Sequence, residues 1–131
     1  MKTLTREVAA KPNYTFQKEK VDVTEWGDID PDTGKPEPTC VFVREISAAE
    51  RDKYEASLYT HKRNKREFNP MDARTKAMVL ACCDEHGNAI FGPEDTEWLR
   101  QKPVSVIERI FEVFQRLNRF TNEDEEELRK N

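Results

Sequence analysis

The sequence predicts an α+β fold: an N-terminal antiparallel β-hairpin or small sheet, then a mainly α-helical C-terminal half. Three observations carry that class. Residues 20–26 set Val21 and Val23 among polar neighbours, and residues 40–46 are rich in β-branched and aromatic side chains, both as strands require. Ser47 with Glu50, and Ser105 with Glu108, have the spacing of a helix capping box. Val106, Ile107, Ile110, Phe111, Val113, Phe114, Leu117 and Phe120 recur at helical spacing.

With 131 residues the chain is long enough for one domain and a modest core, burying about 65% of its unfolded surface. Charged residues reach 37% against 36% hydrophobic, which puts it at the polar edge of globular chains, while its aromatic content separates it from disordered ones. A net charge of -4 creates no global field toward nucleic acid or an anionic membrane. No apolar run approaches the ~20 residues that cross a bilayer, and residues 1–7 lack the apolar core of a signal peptide. Cys40, Cys82 and Cys83 are an odd set with two adjacent members, a poor disulfide framework that fits a reducing cytoplasm.

In order along the chain, residues 1–19 read as a flexible arm and 20–120 as a single domain, with strands over 20–46 and helices over 47–120. The two strands should pair antiparallel across an exposed loop, 27–39, punctuated by Pro31, Gly34, Pro36 and Pro38. Ser47 caps a helix running towards Tyr59. The basic run 61–66 reads as a solvated inter-helix loop. Asn69 as cap, Pro70 at the first position and Asp72 as an early acid restart a helix holding Met71, Ala77, Met78, Ala81 and Cys82. Residues 84–88 form a turn in which Gly87 takes a positive φ. Pro93 opens a short helix through Trp98 and Leu99 that stops before Pro103. Ser105 caps the long helix, and 121–131 form an acidic helical tail with Arg129 and Lys130 at the end that favours cations.

Chemistry finds little foothold. Asp28, Asp30 and Asp32 alternate as in a calcium loop, but Thr33 separates Asp32 from Gly34 and Thr39 stands where a bidentate acid should close the loop. Cys82, Cys83 and His86 would need Cys40 or His61 to complete a zinc site, and no Cys-x-x-Cys spacing exists. The basic run has no interleaved aromatics and is flanked by Glu55 and Glu67, unlike a nucleic-acid footprint. Two histidines, four glycines and no phosphate-cradling loop argue against an enzyme and against a cofactor. The residues alone indicate a small protein whose business is binding another protein.

The order Val21-Asp22-Val23-Thr24-Glu25-Trp26-Gly27, then Val41-Phe42-Val43-Arg44-Glu45-Ile46-Ser47-Ala48-Ala49-Glu50-Arg51-Asp52, resembles the start of phage tail assembly chaperones. Asp72-Ala73-Arg74-Thr75-Lys76-Ala77, the segment 83–91, the segments 106–113 and 115–118 and the acidic ending are similar to their second half. The resemblance implies a protein made from phage or prophage genes in the bacterial host cytoplasm and absent from the finished virion. It implies binding to the tape-measure protein, kept soluble while tail tube subunits polymerise around it. It also implies a longer frameshifted form that recruits tube protein, this chain looking like the short form. The competing readings are a structural tail or head-to-tail component, and a small DNA-binding regulator.

The long helix carries an apolar arc of roughly 180°, wider than the ~100° stripe that covers one core face, so it is either buried on two sides or keeps a flank for a partner. Phe111, Phe114, Leu117 and Phe120, with Tyr54 and Leu58 beside them, are the expected partner-binding surface; ordinary core packing is the other reading of the same six residues. Arg109, Arg116 and Arg119 form a charged rim suited to weak contacts repeated along one tape. Self-association is left open.

Overall fold

A three-stranded antiparallel sheet, β1 (Lys18–Asp22), β2 (Cys40–Arg44) and β5 (Cys82–Cys83) in that order, backs the long helix α5 (Val104–Leu117) in the computed structural model, which describes residues 1–12 and 15–120. The expected tail 121–131 lies outside the described residues. Val21 faces Val41 across β1 and β2. Both are buried with Val43 against α5, α2 (Ala48–Ser57) and α3 (Ala73–Ala81), while α1 (Arg6–Ala9) is a single exposed turn capped by Thr5.

Strand β1 ends earlier than its alternation suggests. The Asp22 carboxylate accepts the Thr24 N–H at 2.8 Å, and this local bond turns the chain into a 3₁₀ segment, Thr24–Trp26. The loop after it folds on itself: Ile29 bridges Pro36, Gly34 N–H donates to Asp30 C=O, and the Asp30 carboxylate accepts from Asp32 N–H. Gly27 sits so close to the Thr39 hydroxyl and the Glu37 carbonyl that a Cβ has no room there.

The capping box of α2 is present in full. Glu50 N–H donates to Ser47 Oγ at 3.1 Å and Ser47 N–H donates to Glu50 Oε1 at 2.9 Å. Glu50 also takes both terminal nitrogens of Arg44, at 3.0 and 2.6 Å, and the same guanidinium donates to the carbonyls of Glu45 and Leu80. One side chain of β2 thereby joins the start of α2 to the end of α3.

Four expectations need correction. The basic run is a β-hairpin, β3 (Tyr59–Lys62) and β4 (Lys65–Phe68), rather than a loop. Arg63 and Asn64 both take left-handed φ, 52° and 64°, the geometry of the two-residue turn that matches strand twist. At its base Tyr59 meets Phe68 edge-on at 5.3 Å, and the Arg66 guanidinium lies 3.7 Å from the centre of the Tyr59 ring. Helix α3 starts at Ala73, because Asn69 spends its side chain on Met71 N–H and Asp72 adopts φ 65°; Met71 is left exposed outside it. Cys82 is not helical but pairs with Val43 in β5, so the adjacent thiols project to opposite faces. Finally, α5 begins at Val104 without a side-chain cap, since Glu108 pairs with Arg74 of α3 instead of reaching back to Ser105.

Other local signals hold. Gly87 has φ 85° in a turn where the Asp84 carboxylate accepts from His86 and Asn88 N–H. Pro93 opens a 3₁₀ turn, Pro93–Asp95, that runs into α4 (Thr96–Leu99) and stops before Pro103.

The Arg44 guanidinium, followed by the Ser47 backbone and hydroxyl, holds the Glu50 carboxyl at about 2, down from its ordinary 4.5. A depressed carboxyl stabilises the fold fully above its unfolded value and loses that contribution as protons bind. Glu50→Gln should therefore lower stability at pH 7 by about 1–2 kcal/mol, the partial exposure of the pair keeping it near the low end for charge-assisted bonds. In denaturant titrations the gap between wild type and variant should close as pH falls from about 4.5 towards 2.

Candidate functional site

Five of the six residues expected to meet a partner, Tyr54, Leu58, Phe111, Phe114 and Phe120, share one apolar cluster in which Phe114 is central. Its ring lies 5.3 Å from Tyr54, 6.2 Å from Phe111 and 5.5 Å from Phe120, and Tyr54 meets Phe120 edge-on at 6.1 Å. Tyr54, Leu58, Phe111 and Phe114 are buried core residues, with Phe111 at 2% exposure and Phe114 at 1%. Leu117 and Phe120 are half-buried, and the Arg51 guanidinium covers the Phe120 ring at 4.2 Å. The Tyr54 hydroxyl donates to Ala73 C=O at 2.9 Å, and burial pushes its phenol far above the ordinary value.

The wide apolar arc of α5 is thus buried on two sides, by the sheet and by α3 with α2. Its rim is engaged as well. Arg109 donates to both Glu25 carboxylate oxygens, at 3.0 and 2.6 Å, and to Asp22 C=O, while Arg116 reaches Glu19 at 2.8 Å. These arginines fasten α5 to β1 and the turn that follows it. Arg119, at φ 56°, is exposed beyond the helix end.

Asn118 was not foreseen as a positioning residue. Its Oδ1 accepts from Ile46 N–H at 2.8 Å and its amide donates to the carbonyls of Arg44 and Phe114, while its own carbonyl accepts from Arg51. A polar residue at a helix C-terminus carries no sequence signal for bonds that cross more than seventy positions. Also unforeseen is the company kept by the two tryptophans. Trp98 is 45% exposed, packs edge-on against Phe91 at 5.9 Å, and donates its indole N–H to Asp95 at 2.9 Å. Lys102 Nζ lies 5.3 Å from the Trp26 ring and 6.0 Å from the Trp98 ring. The N–H of Gly92 and the Trp98 indole hold the Asp95 carboxyl below the usual carboxylate range.

No group of three or more acidic, cysteine or histidine side chains among the described residues is arranged to hold a metal, and no described helix is long and apolar enough to cross a membrane. Cys82 and Cys83 are buried and Cys40 is exposed.

The sequence profile of a family described as phage tail assembly chaperone matches residues 4–131. The chain belongs to that family. Among solved structures, the tail assembly chaperone of bacteriophage HK97 is similar in fold, with a TM-score of 0.54 and 19% identity over 89% of this chain and 95% of that one. No curated protein matches the sequence. In this tail assembly chaperone the aromatic cluster of α5 lies largely in the interior, while Trp98 is exposed with Phe91 and Trp26 half-buried near it.

Two outcomes follow from the burial. Phe114→Ala should cost about 3–5 kcal/mol in a thermal or denaturant melt, and the Phe111→Asp, Phe114→Asp pair should abolish the cooperative transition altogether. Burial pushes the Cys82 thiol up to about 12, so a thiol reagent should modify Cys40 promptly and Cys82 and Cys83 only on unfolding.

Proposed function

We propose that this tail assembly chaperone binds the tape-measure protein of its own phage or prophage and keeps it soluble and assembly-competent while tail tube subunits polymerise around it. The observation that carries the reading is the match of the family profile across residues 4–131. The physical requirement agrees with it: a long helical chain with apolar stripes aggregates unless those stripes are covered until the tube encloses it. A small folded protein can cover them by receiving a helix on an apolar surface, in many copies and with modest individual affinity. The site of action is the bacterial host cytoplasm, and the chaperone leaves before the virion is complete. A longer frameshifted form would bring the tube protein to the same complex.

Co-expression with the tape-measure protein of the same genome tests the reading. The soluble, co-purifying fraction of the tape should rise several-fold over a control without the chaperone. Equal insolubility with and without it favours a structural tail component instead.

A further inference from the structure

We propose that the surface formed by exposed Trp98 and Lys102, with half-buried Trp26 and Phe91 beside them, is the docking site for an apolar helical segment of the tape that carries a carboxylate beside its apolar anchors. The inference rests on the tape-measure reading above and names the surface that serves it.

Exposed apolar side chains scattered singly need no explanation, but this group is neither scattered nor loose. The chain has two tryptophans in all, and both rings flank the same lysine. The Trp98 ring is braced by Phe91, and its indole N–H is already satisfied by Asp95. Asp95 is in turn fixed by Gly92 N–H at 2.8 Å. An aromatic side chain held in one position while 45% exposed loses little conformational entropy when a partner covers it. Tryptophan is also the residue type most enriched where interfaces concentrate their binding energy.

Charge specifies the occupant further. Lys102 forms no ion pair among the described residues, while Asp72 and Glu97 are bound to Arg100 and Asp95 accepts from Gly92 and Trp98. Beside the aromatic surface a shallow cleft between the starts of α3 and α5 is edged by Lys102, by Asp72 paired with Arg100 and by Arg74 paired with Glu108, with Val104 59% exposed on its wall. An aromatic floor beside an unpaired ammonium and an apolar valine suits a helix that presents apolar residues on one face and an acid one turn away. The carboxylate would pair with the Lys102 ammonium.

The test uses the full chain labelled with 5-fluorotryptophan, which gives one fluorine resonance for each tryptophan, both inside the proposed surface. Synthetic peptides that span the tape-measure sequence of the same genome are titrated in, and co-purification with the whole tape is measured in parallel. Peptides combining apolar and acidic residues should shift both resonances, and Trp98→Ala and Lys102→Glu should each weaken binding at least about tenfold; the exposed Lys102→Glu should melt like wild type, while Trp98→Ala, which loses the Phe91 packing and the Asp95 bond, should melt somewhat lower but still cooperatively. If both variants hold the tape as well as wild type does, the docking surface is overturned and the tape-measure reading stands. If wild type binds neither peptides nor tape, both fall.

Discussion

The width of the apolar face of α5 is the constraint on which the rest of the structure depends. A stripe that covers one core face could lie on a sheet alone, but an arc of roughly half the helix circumference must be covered from two directions. The sheet supplies one cover and α3 with α2 the other, and Phe114 stands where they meet, touching Tyr54, Phe111 and Phe120. Each such ring buried contributes about 1.5–3 kcal/mol, so the cluster is a large share of what a domain of this size can accumulate.

Burial is non-directional and would tolerate many orientations of α5; the polar contacts select one. Arg109 and Arg116 tie it to Glu25 and Glu19 on one side, and Glu108 ties it to Arg74 on the other. At its end Asn118 bonds the backbone of Arg44 and Ile46, next to the Arg44 guanidinium that joins α2 and α3. The helix is therefore fixed along its length and at its C-terminus by groups that reach β1, β2, α2 and α3. Weak individually at the surface, such pairs gain by acting on one rigid element.

What could be read in advance follows the range of the interactions. The Ser47 and Glu50 cap, the Gly87 turn and the Pro93 helix start are settled within a few residues, and each appears as expected. The same spacing at Ser105 and Glu108 failed because Arg74, thirty-four positions away, competes for the carboxylate. The hairpin at Tyr59–Phe68 was hidden because its strands carry charges on both faces and so lack a period of two; the decisive signal is local, an asparagine in the turn and aromatic residues at both ends. Phe111, Phe114, Tyr54 and Leu58 share the buried core, and periodicity tells only that a face is apolar, not whether the protein or a partner covers it. Trp26 and Lys102, far apart in sequence, meet only once α5 is docked on the sheet.

A protein that must hold another chain reversibly gains from keeping its own cohesion separate from its contacts. If the aromatic cluster of α5 served both purposes, releasing a partner would expose the core, and each cycle would pass through a partly unfolded state prone to aggregate. Here the core is closed by α5 itself, while half-buried Trp26 and exposed Trp98 sit on connecting pieces, the 3₁₀ turn after β1 and the short α4. Local hydrogen bonds help position those pieces, from Thr24 N–H to Asp22 and from Gly92 N–H and the Trp98 indole to Asp95, while Leu99 anchors α4 in the core and leaves Trp98 exposed. Local bonds around a buried anchor let a surface remain both rigid and available, which suits a protein that meets another chain reversibly.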